Sequence, residues 1–254
     1  MQNVVLENET LRLEFSRGTG ALVGLTAVAT GWEILNRPHL GLSWRLLVPL
    51  EDPAQPGIWA GRRRNNPVYG KEHPLTALAL APDGRGVTFT WDGVTSEHGG
   101  QLDIKLTLEV RLTDRQVVYA MTVENRSPYT VENVYVPALG DVQHPADEEW
   151  FKTFLYAYAA AQEWPLWPTY WNSRGYYGVD FPTQFASWSA GSGAPMSPFI
   201  LLRGAKQGLY VGVAAPSSEL VAWHTELHPG YGSSIDARVP EEATISGHDV
   251  STRF

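Results

Sequence analysis

The sequence predicts an all-β protein, built as a large antiparallel two-sheet β-sandwich. Three observations lead to this class. Apolar residues recur at every second position through more than a dozen short stretches, which is the period of a half-buried strand. Gly, Pro, Asn and Asp separate these stretches, and no regular alternation with helical patterns is present, which argues against a parallel sheet with crossover helices. No internal repeat of fixed period is visible, which argues against a propeller. Many short strands in one chain of 254 residues are best buried by packing two sheets face to face.

The elements follow in order. In "TLRLEFS", Leu11, Leu13 and Phe15 alternate with Arg12 and Glu14. "GALVGLTAVATGWEIL" reads as a strand, a turn and a second strand, and the glycines of "GTGALVG" mark a hairpin turn rather than a phosphate loop. "LGLSWRLLVPL" places Leu42, Trp44 and Leu46 on one face, and "GVTFTWDG" does the same for Val87, Phe89 and Trp91. The clearest hairpin runs from Leu102, with Ile104, Leu106, Leu108, Val110 and Leu112 apolar at every second position. It turns at "TDRQ" and returns from Val117 to Val123. "TVENVYVPALGD", "SPFILLR", "GLYVGVAAP" and "SSELVAWHTELHPG" are further strands. From Asp147 to Trp164 the pattern fits a helix and a strand equally. No linker divides the chain, so one domain over residues 1–254 is expected, with looser regions at 51–74 and 140–198.

Composition removes several function classes. A net charge of -8 without a long basic run argues against nucleic acid or an anionic membrane surface as a partner. The short run Arg62, Arg63, Arg64 reads as a solvated loop. No cysteine occurs, which excludes disulfides, thiolate metal sites and cysteine nucleophiles. No apolar run approaches the ~20 residues of a membrane helix, and "MQNVVLENET" lacks the pattern of a signal peptide. A cytoplasmic location is the expectation. No cofactor motif is found.

The candidate binding residues lie between Glu163 and Trp188. Nine aromatic side chains crowd this stretch, broken by prolines and glycines, so it reads as a rigid irregular loop. Aromatic faces stack on the C–H faces of sugars, and nearby polar groups hold the hydroxyls. On this reading Trp164, Trp167, Tyr170, Trp171, Tyr177 and Trp188 supply rings, while Asn172, Arg174 and Gln184 supply hydrogen bonds. The alternative is that the rings pack over one end of the sandwich. In "WHTELHPG", His224, Glu226 and His228 share one strand face. That face reads as solvated, and no metal site is assigned. Carboxylates that could pair for hydrolysis are Glu163 with Asp180, or Asp147, Glu148 and Glu149. No catalytic residue is assigned.

Several stretches together carry a resemblance. "LENETLRLEFSRGTGALVGLTAVATGWEIL", with its "TGAL" turn, is similar to the start of the β-supersandwich in galactose-mutarotase-like domains. "VTVENRSPYTVENVYVPALGDV" resembles a strand pair of the same domains. "FPTQFASW" followed by "GLYVGVAAPSSEL" resembles the sandwich that precedes a TIM barrel in a group of glycoside hydrolases. There the late strand reads "GLY.G.HDP". Here Gly208, Leu209, Tyr210, Gly212, Ala215 and Pro216 match, and Ala214-Ala215 stands in place of His-Asp. The resemblance implies a carbohydrate-active protein whose sandwich is non-catalytic and packs on a catalytic barrel outside this chain. It leaves two alternatives. One is a stand-alone aldose 1-epimerase-like or polysaccharide-lyase-like enzyme, with His144, His224 and Glu163 as stand-ins for acid and base. The other is a purely structural sandwich.

Overall fold

A computed structural model describes residues 3–51, 63–64, 66–96, 98–140, 142–157, 160–164, 199–214, 226–228 and 251–253. For 63–64, 152–157, 160–164, 226–228 and 251–253 it describes the backbone alone. The described residues are strands and turns, with two three-residue 3-10 turns at Pro38–Leu40 and Gly70–Glu72. Every strand pairing found among them is antiparallel. Among the described residues, no helix is long and apolar enough to cross a membrane. The chain forms two compact units, one of residues 1–31 and 36–139 and the other of residues 32–35 and 140–254.

In the first unit, β1 (Val4–Glu7), β2 (Leu11–Phe15) and β3 (Leu22–Ala27) form a meander. Its apolar positions point one way: Val4, Leu6, Leu13, Phe15, Leu22 and Leu25 are buried. A second sheet comprises β9 (Ala77–Leu80), β10 (Gly86–Ser96), β11 (Gly100–Leu112) and β12 (Val117–Asn125), hydrogen-bonded in that order. All six apolar positions of β11 from Leu102 to Leu112 are buried, as period-two alternation demands of a strand with one face inward. On β10 the inward set changes parity, from Val87, Phe89 and Trp91 to Val94. The register shift between Asp92 and Val94 accompanies this: from the Asp92–Lys105 pair to the Val94–Leu102 pair, β10 advances two residues while β11 advances three, so the alternation of β10 slips by one.

The inner faces of these two sheets meet. The rings of Phe15 and Phe89 lie 5.3 Å apart, and Phe89 lies 6.2 Å from Trp91. The turn between β2 and β3 closes against the same cluster. Gly20 has φ +65, and a Cβ there would sit 2.7 Å from the Trp91 ring. The "TGAL" turn therefore needs glycine twice over, for its left-handed backbone and for the indole beneath it.

A third ribbon completes this unit. β5 (Arg45–Leu47) pairs with β13 (Asn133–Tyr135) on one side and with β8 (Pro67–Tyr69) on the other. The hydrogen bond from Val48 N–H to Asn66 C=O and the pair β6 (Leu50–Glu51) with β7 (Arg63–Arg64) continue the same register. Arg63 and Arg64 thus stand on a strand ladder rather than in the solvated loop expected of them. Leu46, Val48 and Val68 are buried, while Arg45 and Tyr69 fall on the opposite face. Trp44 enters the core, edge-on to Trp91 at 5.5 Å and stacked on His73 at 5.9 Å. The "VTVEN…VENVYV" stretches, expected as a pair, occupy β12 and β13 and belong to different sheets. β13 finds its partner in β5, because a strand edge is satisfied by whichever complementary edge the fold brings alongside it.

In the second unit, β4 (Trp32–Leu35) lies against the segment that leads into the last sheet. Trp32 Nε1–H donates to Gln143 C=O at 3.1 Å, Gln143 N–H donates to Ile34 C=O, and the Trp32 ring meets Phe151 edge-on. The sheet that follows has the order β15 (Ala160–Trp164), β14 (Lys152–Ala157), β16 (Phe199–Arg203), β17 (Gly208–Gly212). Within the ambiguous stretch from Asp147 to Trp164, residues 152–157 and 160–164 pair as antiparallel strands β14 and β15. β18 (Glu226–His228) pairs with β19 (Ser251–Arg253).

Replacing Gly20 by alanine is expected to cost about 2–3 kcal/mol of stability, the sum of left-handed backbone strain and overpacking. Gly31, also left-handed at φ +71 but with nothing within 4 Å of its would-be Cβ, isolates the first term. Gly31→Ala should cost only about 1 kcal/mol. Urea unfolding of both variants measures the difference, and equal losses would refute the packing of Gly20 on Trp91.

Candidate functional site

The candidate site is the outward face of the sheet β15-β14-β16-β17. Ile200 and Leu202 point inward and are buried. The alternate positions, Phe199 and Leu201, are half-buried, and Tyr210 on β17 is 61% exposed. Register puts these residues together: Phe199 lies opposite Gly212, and Leu201 opposite Tyr210. The Tyr210 ring stacks diagonally on Phe199, with centroids 5.2 Å apart and planes 28° apart. Gly212 makes this possible, since a Cβ there would meet the Tyr210 hydroxyl at 2.6 Å. A phenol ring is thus held over a bare stretch of backbone, backed by Phe199 and open to solvent. The motif "GLYVG" acquires a physical meaning: two glycines flank one tyrosine on one face, and the apolar Leu209 and Val211 face the other way.

The hairpin that presents Tyr210 is pinned from beneath. Its turn runs from Gly204 to Gln207, with Gly204 N–H donating to Gln207 C=O. The Glu148 carboxylate is buried and accepts three backbone N–H groups of that turn, from Ala205 at 2.8 Å, Lys206 at 2.7 Å and Gln207 at 2.9 Å. Asp147 beside it accepts from Lys206 Nζ at 3.0 Å and from Gln207 Nε2 at 3.3 Å. Burial alone would raise the Glu148 carboxyl, but the three N–H donors outweigh it and hold the group below the usual carboxylate range. The Lys206 ammonium, through a hydrogen bond, holds Asp147 low as well.

Two candidate carboxylates therefore have structural work. Both oxygens of Glu148 accept from backbone donors, so it is poorly placed to take or give a proton. His144 is also engaged: its Nδ1–H donates to Pro145 C=O at 2.7 Å, and its ring meets Phe151 edge-on at 5.5 Å.

The aromatic residues singled out in the sequence fall largely outside the described residues. This holds for Trp167, Tyr170, Trp171, Asn172, Arg174, Tyr177, Gln184 and Trp188, and also for Asp180 and His224. The backbone of Trp164 closes β15, paired with Thr153, and that of Glu163 pairs with Phe154. Phe154 in turn pairs with Leu201, so by register Glu163, Phe154, Leu201 and Tyr210 form one row across four strands. Glu226 and His228 occupy alternate positions of β18, opposite Arg253 and Ser251. Among the described residues, no group of three or more His, Asp or Glu could hold a metal ion.

β15 and β16 each run antiparallel to β14, which lies between them, so they run parallel to each other. Sequence reasoning missed Tyr210 and Phe199, because their stretches read simply as strands. The signal that was available is the lone aromatic between two glycines at a spacing of two.

No protein-family model matches the chain, and no curated protein matches it. Among solved structures, a galactose mutarotase-like protein from Lactobacillus casei ATCC 334 is similar to it, with a TM-score of 0.39 and 15% identity. The similarity covers 60% of this chain and 55% of that one.

Glu148→Gln should lower the thermal midpoint at neutral pH, since a neutral amide offers one acceptor oxygen where three N–H groups converge. A carboxyl lowered in the folded state stabilises above its unfolded value of about 4.3 and loses that contribution as pH falls through the folded value. The gap between wild type and variant should therefore be full at neutral pH and close in acid. A gap that does not change with pH would refute the carboxylate's role.

Proposed function

We propose that the protein binds carbohydrate without catalysing its conversion, as the sandwich of a glycoside hydrolase whose catalytic barrel lies outside this chain. The observation that carries the reading is Tyr210: a ring on a sheet face, stacked on Phe199, lying over Gly212 and 61% exposed. Together the Tyr210 and Phe199 rings give the sheet face a flat apolar surface with a phenol hydroxyl at its edge. A flat ring with an open face suits the C–H face of a pyranose. In this reading Trp164, Trp167, Tyr170, Trp171, Tyr177 and Trp188 add rings, and Asn172, Arg174 and Gln184 hold hydroxyls. The engagement of Glu148 and Asp147 by the hairpin turn supports a non-catalytic role.

Tyr210→Ala should weaken binding of a responsive oligosaccharide about fivefold to tenfold, the loss expected for one aromatic contact, with little change in thermal midpoint. Tryptophan fluorescence titration against a panel of soluble oligosaccharides measures this. Unchanged affinity in Tyr210→Ala, or no saccharide that binds the wild type, would end the proposal.

A further inference from the structure

The first unit carries a second arrangement that points to a ligand. Arg45 on β5 lies between two tyrosines supplied by its strand neighbours, Tyr69 on β8 and Tyr135 on β13. All three share the outward face of the ribbon and are half-buried. The guanidinium carbon lies 5.5 Å from the Tyr69 ring centroid and 5.0 Å from that of Tyr135. Two rings thus flank one planar cation, which fixes its position and takes rotamers from a side chain that is otherwise long and mobile.

The unused bonding capacity of this cation is what suggests a ligand. Arg12, Arg85, Arg111 and Arg126 each meet a carboxylate. Arg45 meets none among the described residues, in a chain with 27 acidic and 19 basic residues. Its Nε is buried without a hydrogen-bond partner, whereas neither Nη group is among the buried unpartnered atoms. The guanidinium is half-buried with its Nε sealed, and no described residue gives its fork an acceptor. Two parallel N–H donors in a fixed plane match the two oxygens of a carboxylate. The two ring contacts order the fork before any ligand arrives, which lowers the entropic cost of binding.

We propose that Tyr69, Arg45 and Tyr135 form a receptor site for a carboxylate-bearing ligand, with Arg45 Nη1 and Nη2 donating to its two oxygens. The site is independent of the Tyr210 surface and stands or falls separately from it. A free small acid and an acidic sugar share the required group.

The test follows the Arg45 Nε–Hε resonance of full-length protein by 15N NMR. The titrants are sodium acetate and sodium glucuronate, with sodium chloride and glucose as controls. Acetate and glucuronate should both shift this resonance saturably. A tighter response to glucuronate would identify a sugar acid, and an equal one a simple carboxylate; either supports the site. Arg45→Lys, which keeps the charge and loses the fork, should weaken binding about tenfold, the loss of one charge-assisted hydrogen bond. Binding by the variant is read from the Tyr69 and Tyr135 ring resonances. No shift with either carboxylate, an equal shift with chloride or glucose, or unchanged affinity in Arg45→Lys would overturn the assignment. The wild-type titration decides the matter even if the variant fails to fold.

Discussion

The first unit depends on an aromatic contact among Phe15, Phe89, Trp91 and Trp44. Each of its three sheets contributes at least one of these rings: Phe15 from the meander, Phe89 and Trp91 from the long sheet, and Trp44 from the start of the β5 ribbon. All four are at most 2% exposed. Each buries a large apolar area, and edge-on or tilted pairs gain about 0.5–1.5 kcal/mol beyond that area. The indole N–H groups of Trp44 and Trp91 are buried without a protein acceptor, a cost of about 1–3 kcal/mol each. Packing wins at these two positions because the rings fill the space where the sheets converge, and a smaller side chain would leave a cavity. His73 closes the cluster. Its Nδ1–H donates to Tyr69 C=O, while its Nε2 accepts from Thr95 N–H, so one imidazole ties the β5–β8 ribbon to the end of β10.

With the inner faces committed to burial, chemistry is confined to the outer ones, and the same alternation produces both. On β5, Leu46 turns inward and Arg45 outward; on β16, Leu202 turns inward and Leu201 outward. In both candidate surfaces the central strand thus carries outward residues one position away from core residues. They differ in how they hold their groups. At Tyr210, glycine removes side chains so that a ring can lie open. At Arg45, two rings approach so that a cation is held.

Glu148 shows how buried charge can be structural. A carboxylate with three backbone donors is well satisfied, and the hairpin turn it completes could not otherwise pair those N–H groups within its own two strands. Sequence alone placed Glu148 among the carboxylates available for hydrolysis. Its partners lie in a turn more than fifty residues away, and no local pattern announces that contact.

What the sequence determined by itself was the strand character of the chain. Alternation over Leu11–Phe15, Val87–Trp91 and Leu102–Leu112 is a local property, set by which residues must face water, and it survived folding apart from the parity change at Gly93. The meaning of "TGAL" as a turn was equally legible, since glycine there answers a backbone requirement. The partners were not legible. That β13 joins β5 rather than β12, that Arg45 meets two tyrosines rather than a carboxylate, and that Tyr210 stays open while Trp91 is sealed were decided by tertiary structure. Strand edges and side-chain faces carry no address of their own. Which of them meet depends on the packing of distant segments, and only that packing distinguishes a ring that fills a core from one that awaits a ligand.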